Sequence, residues 1–563
     1  MQHATWRPLI GAAIILGSLA LTLAPGCSKK DNKAAKDDPA ASEPAGGKAG
    51  APAGEPVEEK TVKKPDGATL HVAAITSKGQ VKSYPVKAGK GKLVELELTN
   101  APATSSPVDY VVELKAPNKQ RVTRLRDTNG SDGTTRLKSR AYLAEEGDYT
   151  LTVSDHGDDE VDPAGFKLTV RLLDDPDKNE PNNGGNLDTN KALATEITPG
   201  EPVEGMIEYR ADEDWYKFTA KKNTILEVQL TNAPATSSRV DYTVSMWPDS
   251  GTERQWRERD TNGSDGTTVH KTRRYIREDG TYYLQVFDWG DEEYEDKQGY
   301  KLTVNTLEDP DPTEPNSGGN LDGHRILAKA LKSGEPVEAM LEYEGDQDWF
   351  KIAADKGKLI QIKLDNTPAT SSQVDYTLQL YDWKEGDRLW RVRDTNGSDG
   401  TTILETSRPG LGKGDYFVQV FDWADDEYET SGTYKLTVTI VDSPDKNEPN
   451  QGDNFDTCKT MATALPRGKS VTGYIDFHDD SDWFAIDHKG GQLVVNLTNA
   501  PATSSAVDLT MRLRNDADEE LARERDTDGT DGTTQLSLKK ELPAGKYYLQ
   551  IFDWGDDDFG LDQ

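Results

Sequence analysis

Oxygen-bearing side chains recur in a loop that the sequence carries four times. RDTNGSDGTT begins at Arg126, Arg259 and Arg393, and RDTDGTDGTT begins at Arg525. After the arginine, the first, third and sixth places offer carboxylate or amide oxygens, and the glycines permit left-handed turns. Ca²⁺ prefers hard oxygens of this kind. One candidate set of cation ligands is therefore Asp127, Asn129, Asp132, Asp260, Asn262, Asp265, Asp394, Asn396, Asp399, Asp526, Asp528 and Asp531.

The same loop has a second interpretation. An EF-hand needs oxygens at places 1, 3 and 5, Gly at place 6 and Glu at place 12, and this loop is not one, since every copy has Asp at place 6. Each copy follows two arginines, as in Arg124 and Arg126, and residues two apart on a strand share a face. The loop is then a long hairpin turn whose Asp and Asn side chains bind their own backbone. The arginines would be surface ion-pair partners.

Tryptophans stand in an acidic segment that also repeats. FDWGDEEYE, FDWADDEYE and FDWGDDDF occur in three of the repeats, and the first repeat has His156 in place of the tryptophan. Such a ring can stack on a sugar or a protein, or it can pack over the rim of its own domain. The candidate ligand contacts are Trp289, Trp423 and Trp554.

The sequence does not assemble the residues of a catalytic site. It has seven histidines, none at a position shared by the repeats, and neither HExxH nor GxSxG occurs. Without an equivalent histidine no Ser-His-Asp triad can be placed. We therefore expect a protein that is not an enzyme.

Charge narrows the range of partners. The 563 residues include 100 Asp and Glu against 66 Lys and Arg, a formal net charge of -34. Such a surface repels phosphate backbones, which argues against nucleic-acid binding. It also favours bound counter-ions, so calcium is a candidate cofactor on charge alone.

The elements that must position these residues are short strands. TYYLQVF, YKLTV and LEVQL alternate apolar and polar residues between Gly, Asn, Asp and Pro turns, whereas helix is limited to a short turn at LDTNKALA and its equivalents. This pattern predicts an all-β fold of four tandem β-sandwiches, since the repeat is far longer than the roughly 20–50 residues of a solenoid unit. The predicted modules are residues 61–173, 174–307, 308–441 and 442–563, the last without its YKLTV strand.

The N-terminal part has the features of a targeting segment. The apolar run from Leu9 to Ala24 suits a signal peptide and is shorter than the about 20 residues of a membrane span. LAPGCSKK resembles the lipobox of bacterial lipoproteins, which implies a signal over residues 1–27 and lipidation of Cys27. Ala24 stands where an aliphatic residue is usual, and an ordinary secretory signal is the alternative. Residues 28–60, rich in Ala, Pro, Gly and charge, predict a disordered tether.

Modules 2, 3 and 4 carry a further ordered set of motifs. EPN, an Ala-containing turn, DxDW followed by an aromatic residue, and a late strand such as YYLQVF occur in that order. The set resembles the bacterial pre-peptidase C-terminal domain, a jelly-roll-like sandwich appended to many secreted proteases and related to the collagen-binding domains of clostridial collagenases. Module 1 has neither EPN nor DxDW.

The resemblance implies calcium held between the EPN acids and the aspartates before the DW strand. Carried over, the ligands are Glu180, Asn182, Asp212, Asp214, Glu314, Asn316, Asp346, Asp348, Glu448, Asn450, Asp480 and Asp482. Where the family commonly has Asp after EPN, this chain has Asn183, Ser317 and Gln451. The alternative is that EPN only turns the chain and DxDW is a solvated strand entrance.

Together these observations predict a non-catalytic lipoprotein of the bacterial cell envelope, lipid-anchored and either periplasmic or surface-exposed. It would act as a calcium-stabilised binding or scaffolding array, with the membrane, an envelope protein or a polysaccharide as partner. Two alternatives stay open. One is an adhesin that binds carbohydrate or protein through the rim aromatics, and the other is an accessory subunit of a secreted protease.

Overall fold

The structure is a computed structural model of the chain. It describes residues 57–100, 106–127, 135–233, 238–259, 269–291, 293–318, 320–367, 372–382, 387–394, 402–410, 412–452, 454–499, 507–526, 534–555 and 559. All of them fall within one unit, Glu55–Gln563. Cys27 and the predicted signal and lipobox lie outside the described residues, as does most of the predicted tether. No helix in the described part is both long enough and apolar enough to cross a membrane.

Module 1 consists of two sheets. Its strands are β1 (Lys60–Lys63), β2 (Thr69–Ile75), β3 (Lys82–Ala88), β4 (Lys92–Asn100), β5 (Tyr110–Lys115), β6 (Arg121–Arg126), β7 (Arg136–Leu143), β8 (Gly147–Asp155) and β9 (Asp162–Asp174). One sheet has the order β1-β2-β9-β4-β7 and the other β3-β8-β5-β6. The buried side chains of both sheets form one core, which is the arrangement of a β-sandwich.

Module 2 repeats this plan with a short helix added. Its elements are α1 (Leu187–Leu193), β10 (Thr195–Glu196), β11 (Val203–Gly205), β12 (Glu213–Ala220), β13 (Thr224–Ala233), β14 (Tyr242–Pro248), β15 (Trp256–Arg259), β16 (Val269–Ile276), β17 (Gly280–Asp288) and β18 (Gly299–Glu308). The sheets have the orders β10-β12-β17-β14-β15 and β11-β18-β13-β16. Phe218 and Val244 from the first sheet meet Leu226 and Leu302 from the second in one core.

Module 3 matches module 2 element by element. It contains α2 (Leu321–Leu327), β19 (Lys329–Ala330), β20 (Val337–Ala339), β21 (Gln347–Ala354), β22 (Lys358–Thr367), β23 (Tyr376–Tyr381), β24 (Arg388–Arg393), β25 (Ile403–Pro409), β26 (Gly414–Asp422) and β27 (Thr433–Asp442). Its sheets have the orders β19-β21-β26-β23-β24 and β20-β27-β22-β25. The predicted all-β fold of sandwich modules is confirmed by these sheets, and helix is as scarce as predicted.

Module 4 differs in its strand connections. It contains α3 (Phe455–Met461), β28 (Thr463–Ala464), β29 (Ser481–Thr498), β30 (Leu509–Asn515), β31 (Glu520–Arg525) and β32 (Gln535–Asp553). Its described strands form one sheet of order β28-β29-β32-β30-β31. The long strands β29 and β32 run through positions that modules 2 and 3 divide between two strands each. Gly490 and Gly491 in β29 have φ of 92° and 94°, backbone that glycine adopts without the penalty of a Cβ.

Alternation along the DW strand explains how each short helix is held. In β12 the side chain of Trp215 points away from the core and packs with Ala194 and Tyr283 beside α1. The next residue, Tyr216, points into the core between the sheets, since successive side chains on a strand take opposite faces. The DW pair therefore packs the helix on one side of the sheet and the sandwich core on the other.

Candidate metal centre at the module junctions

The EPN and DxDW motifs meet where module 2 begins. The linker after β9 carries Glu180, the loop between β11 and β12 carries Glu208, and Asp212 stands directly before β12. One carboxylate oxygen from each of these three residues lies within 4.8 Å of the other two. In module 3, one carboxylate oxygen each from Glu314, Asp346 and Asp348 lie within the same distance of one another. We call these two groups, with Glu448, Asp476 and Asp480 as their equivalents by sequence position in module 4, the junction clusters.

The junction cluster of module 2 is buried and forms no ion pair with Lys, Arg or His in the described part of the chain. Glu208 is 0% exposed and Asp212 is 1% exposed, which excludes a solvated strand entrance. Both carboxylate oxygens of Glu208 and one oxygen each of Glu180 and Asp212 have no hydrogen-bond partner there. The corresponding oxygens of Glu314, Glu342, Asp346, Glu448 and Asp480 are without a partner as well. Buried carboxylates cost several kcal/mol each unless they are protonated, paired or bound to a metal.

Burial shifts the titration of these groups upward. It raises the pKa of Glu180 to about 9, and the negative charge of Asp212 adds to the effect. It raises the pKa of Asp212 to about 7. The pKa of Glu208 is held well above its usual value, first by burial and then by the charges of Asp212 and Asp214. Burial likewise raises the pKa to about 8 at Glu314 and to about 7 at Asp346 and Glu448.

The asparagine of the EPN motif is hydrogen-bonded differently from the glutamate of the same motif. Asn316 donates from Nδ2 to Oδ1 of Asp348 over 2.6 Å, and its Oδ1 accepts from the backbone N–H of Trp349 over 3.1 Å. Asn450 makes the same two hydrogen bonds in module 4. Since both ends of these two amides are used, we assign to Asn316 and Asn450 the positioning of the DW strand, whereas Oδ1 of Asn182 in module 2 is buried without a partner in the described part.

The second aspartate of DxDW is also hydrogen-bonded at both oxygens in module 2. Oδ1 of Asp214 accepts from Asn182 over 2.8 Å, and Oδ2 accepts from the hydroxyl of Tyr300 over 2.6 Å. In module 3, Asn316 and Tyr434 hold Asp348 in the same way. Asp214 thus lies beside the cluster of module 2, whereas Asp348 is a member of the cluster of module 3, and both tie the linker, the DW strand and the YKLTV strand together.

Two glutamates that the sequence-based ligand set did not include, Glu208 and Glu342, have both carboxylate oxygens buried without a partner in the described part. Glu208 and Glu342 occupy the segments MIEYRADEDW and MLEYEGDQDW, and module 4 has Asp476 at this place. The backbone N–H of Glu208 donates to Oδ2 of Asp212 over 3.1 Å, which fixes the acid four residues before the aspartate. The sequence signal that could have found these residues is an acid that recurs at the same place, next to apolar residues, in modules 2, 3 and 4. Asp175 and Asp309 on the linkers are further members, each with one buried oxygen that has no partner in the described part.

A neighbouring aspartate fastens each linker to the module that follows. Oδ2 of Asp177 accepts from the backbone N–H of Met206 over 2.7 Å, while Oδ1 accepts from the backbone N–H of Asn179 over 2.7 Å. Asp311 and Asp445 make the corresponding bonds to Met340 and Tyr474. The linker is thus held against the loop that carries Glu208.

The repeated DTNGSDG loops are described only at their bases. Oγ1 of Thr135 donates to Asp127, and the backbone N–H of Thr135 donates to Oδ1 of Asn100 over 2.6 Å. Modules 3 and 4 repeat both bonds with Asp394, Thr402 and Asn366 and with Asp526, Thr534 and Asn499. The leading aspartate therefore closes the loop. The other predicted ligands of these loops, and Asp260, lie outside the described residues.

The rim tryptophans lie against the arginines that precede those loops. The guanidinium carbons of Arg257 and Arg259 are 4.2 Å and 4.3 Å from the ring centroid of Trp289. Arg391 and Arg393 contact Trp423 at 4.7 Å and 4.5 Å, and Arg523 and Arg525 contact Trp554 at 5.6 Å and 4.0 Å. The three rings remain 36%, 40% and 41% exposed. Each arginine pair thus stacks on the tryptophan ring at the rim of its own module.

Comparison with known proteins gives distant likenesses. No family model and no curated protein matches the chain. A pre-peptidase C-terminal domain of a collagenase from Bacillus anthracis aligns at 18% identity over 20% of this chain and 94% of that domain, with a TM-score of 0.15. The CBM22-1-CBM22-2 tandem domain of Paenibacillus barcinonensis Xyn10C aligns at 10% identity over 45% of this chain and 91% of that one, with a TM-score of 0.17. Identities and TM-scores this low establish neither a family nor a ligand for this chain.

Proposed function

We propose that this chain is a non-catalytic protein of the bacterial cell envelope that presents four β-sandwich modules in series, with calcium bound at the junctions that open modules 2, 3 and 4. The observation that carries the proposal is the buried junction cluster. Three carboxylates converge there within 4.8 Å of one another and make no ion pair with Lys, Arg or His in the described part of the chain. A bound cation supplies the charge that such a group lacks.

The donor set favours calcium among the cations. Glu180, Glu208 and Asp212, with Asp175 on the linker, offer carboxylate oxygens and neither nitrogen nor sulfur. Ca²⁺ takes six to eight oxygen ligands in flexible geometry, whereas zinc and other transition metals favour His and Cys. Mg²⁺ demands tighter octahedral geometry and keeps several waters. Glu314, Glu342, Asp346 and Asp309 would serve in the same way at the entrance of module 3.

Calcium at these places would stiffen the array, because the cluster lies against the preceding module. Tyr142 of module 1 stacks on Tyr209 of module 2, with ring centroids 5.8 Å apart and an interplanar angle of 25°. Burial raises the pKa of Tyr142 to about 12, and the charges of Glu180 and Asp175 add to the effect. Tyr275 and Tyr343 stack in the same way between modules 2 and 3. A cation that neutralises the cluster therefore acts on both sides of the junction.

Calorimetric titration of the purified chain with CaCl₂ tests the proposal. We expect saturable binding and a higher melting temperature in calcium than in chelator, since a ligand at a hundredfold excess over Kd adds about 2.7 kcal/mol to the free energy of unfolding. MgCl₂ serves as the matched control and should give a smaller shift. Equal melting in calcium and chelator, with no heat of binding, would refute the calcium assignment.

The membrane anchor is part of the proposal and has its own test. Lipidation of Cys27 would hold the array at the membrane through the tether of residues 28–60. Stable anchoring takes more than one acyl chain, so we expect a mature N-terminus at Cys27 that carries a multiply acylated group. Mass spectrometry of the chain from its native host checks this. An N-terminus at another residue, or an unmodified Cys27, would contradict the lipid anchor. Neither result would bear on the calcium assignment.

A further inference from the structure

A cavity of about 660 Å³ opens at the junction of modules 1 and 2. Arg121, Arg124 and Arg140 of module 1 and Arg210 of module 2 lie along its wall, together with the stacked Tyr142 and Tyr209. Its volume is within the roughly 300–1,000 Å³ of small-molecule sites. Four arginines around one cavity stand out in a chain whose net charge is -34.

The cavity exists because two side chains are small at this junction. Thr123 on β6 and Ala141 on β7 line it. By strand register, the equivalent residues in module 2 are Trp256 and Arg274. There the guanidinium of Arg274 lies 5.3 Å from the ring centroid of Trp256, and the two side chains occupy the corresponding space.

The junction of modules 3 and 4 is filled in the same way as that of modules 2 and 3. Arg408 lies 5.6 Å from the ring centroid of Trp390, and that ring stacks on His478 of module 4 at 5.9 Å. Two of the three junctions therefore carry a Trp–Arg pair where the first junction has Thr and Ala. The open volume is a specific feature of the first junction.

The charge at the first junction is also reversed. Glu344 of module 3 forms an ion pair with Arg274 and accepts from Oγ1 of Thr272 over 2.9 Å. The equivalent residue in module 2 is Arg210, which brings a positive charge where Glu344 brings a negative one. Arg274 and Glu344 neutralise each other between modules 2 and 3. At the first junction their places are taken by Ala141 and Arg210.

Two of the arginines of the cavity have no partner among the described residues. Neither Arg121 nor Arg124 forms an ion pair or an aromatic contact there. The arginines equivalent to Arg124 stack on rim tryptophans, as Arg257 does on Trp289, but module 1 has His156 at that position. Their guanidinium groups are consequently available to an anion, and a planar guanidinium can bind a carboxylate, sulfate or phosphate through two parallel hydrogen bonds.

We propose that this cavity binds a polar ligand with more than one negative charge, an acidic sugar unit whose charged groups are carboxylate, sulfate or phosphate. Arg121 and Arg124 would bind the charged groups, Thr123 and Asn183 would hydrogen-bond to hydroxyls, and the tyrosines would contact the C–H faces of the ring, while Arg140 is already paired with Glu95. The wall is mostly polar, which excludes a lipid-like ligand. The unit can be a free sugar or part of an envelope polysaccharide, since both present the same chemistry.

Isothermal titration calorimetry of the purified full chain in calcium tests the assignment. The probes are digalacturonate, a sulfated disaccharide and glucose 1-phosphate, with cellobiose as the uncharged control and a longer oligogalacturonate to distinguish a polymer from a free sugar. We expect one site per chain for at least one anionic probe and no heat with cellobiose. Failure of the three small anionic probes and of the longer oligogalacturonate to bind would overturn the proposal.

Paired variants locate the site. Arg121→Ala with Arg124→Ala should weaken binding at least about tenfold, because charge-assisted hydrogen bonds are lost. The matched control, Arg254→Ala with Arg257→Ala, removes the corresponding arginines of module 2 and should leave affinity unchanged. Equal losses in both double variants would show diffuse attraction to arginines and would refute a site at the first junction.

Filling the cavity gives an independent test. Thr123→Trp with Ala141→Arg introduces the pair found at the second junction and should abolish binding by occupying the space. The melting temperature in calcium reports whether the variant is folded. A folded variant that binds the probe with unchanged affinity would contradict the proposal, whatever the arginine variants show.

Discussion

At the scale of single residues, Glu208 is the side chain on which the calcium assignment depends most. It is fully buried, and both of its carboxylate oxygens are without a hydrogen-bond partner in the described part. The sequence pointed to Glu180 and Asp212 through a resemblance, whereas the only signal for Glu208 was the recurrence of an acid at this place in modules 2, 3 and 4. Its role depends on a loop that folds back beside the linker, and only the path of the chain shows that contact.

Neutralising this glutamate should remove calcium binding at its junction. We expect Glu208→Gln to lower calcium affinity at module 2 by at least about tenfold, since Ca²⁺ affinity depends on the charge of its ligands. Glu342→Gln should do the same at module 3. The control is Glu204→Gln, which changes an exposed glutamate on β11 and should not alter the titration. Loss of calcium binding in the control, or its retention in Glu208→Gln, would contradict this assignment.

The raised pKa values predict how stability depends on pH when calcium is removed. Glu180 has a pKa of about 9 in the fold, and Glu314 has one of about 8, against 4.5 in an unfolded chain. Between these limits the unfolded chain has lost the proton that the folded chain keeps, so the free energy of unfolding falls as pH rises. Calcium binds the charged form and offsets that loss.

We therefore expect the melting temperature in chelator to fall between pH 5 and pH 8.5. The gap between melting in calcium and melting in chelator should widen over the same range. Differential scanning calorimetry at a series of pH values measures both curves. A gap that stays constant or narrows with rising pH would show that these carboxyls do not hold the cation.

At the scale of elements, the sequence predicted the strands better than their connections. Alternating segments such as YKLTV and LEVQL became β18 and β13, and LDTNKALA became the short helix α1, because local patterning decides those elements. The parallel pairing of β10 with β12 and the long strands of module 4 depend on contacts between distant segments. The alternation of apolar and polar residues within one segment carries no information on contacts between distant segments. The burial of DxDW was missed for the same reason, because the acids are covered by the linker.

Two of the tryptophans of module 3, one buried and one on the rim, test the packing assigned to the DW strand. Trp349 is 2% exposed, and its ring stacks on His324 of α2 with centroids 4.6 Å apart. Trp349→Ala should reduce the free energy of unfolding by about 3–5 kcal/mol, as for other buried aromatic residues. Trp423 on the rim is 40% exposed, and Trp423→Ala should cost only about 1 kcal/mol through lost stacking on arginine. Calorimetric melting in calcium compares the two variants, and equal losses would refute the packing assigned to the DW strand.

At the scale of the whole molecule, the three junctions are built on one plan but are not equivalent. The linkers into modules 2 and 3 carry Asp175 and Asp309, whereas the linker into module 4 has Ser443 at this place. Ser443 donates from its hydroxyl to Oδ2 of Asp476 over 2.5 Å and so uses an oxygen of the cluster. The strand position of Tyr142 and Tyr275 is occupied by Pro409, which removes the stacked tyrosine pair.

These differences predict two classes of calcium site in the full chain. The junction into module 4 has one carboxylate fewer, so we expect calorimetric titration to resolve two tighter sites and one weaker site. Ser443→Asp should strengthen the weaker site by at least about tenfold, because it restores a carboxylate and frees the oxygen of Asp476. The reciprocal change, Asp309→Ser, should move one of the tighter sites into the weaker class. Three sites of equal affinity that respond to neither substitution would mean that the linker residue at this position does not contact the cation, and that the affinity is set by the glutamate of EPN and the loop acids alone.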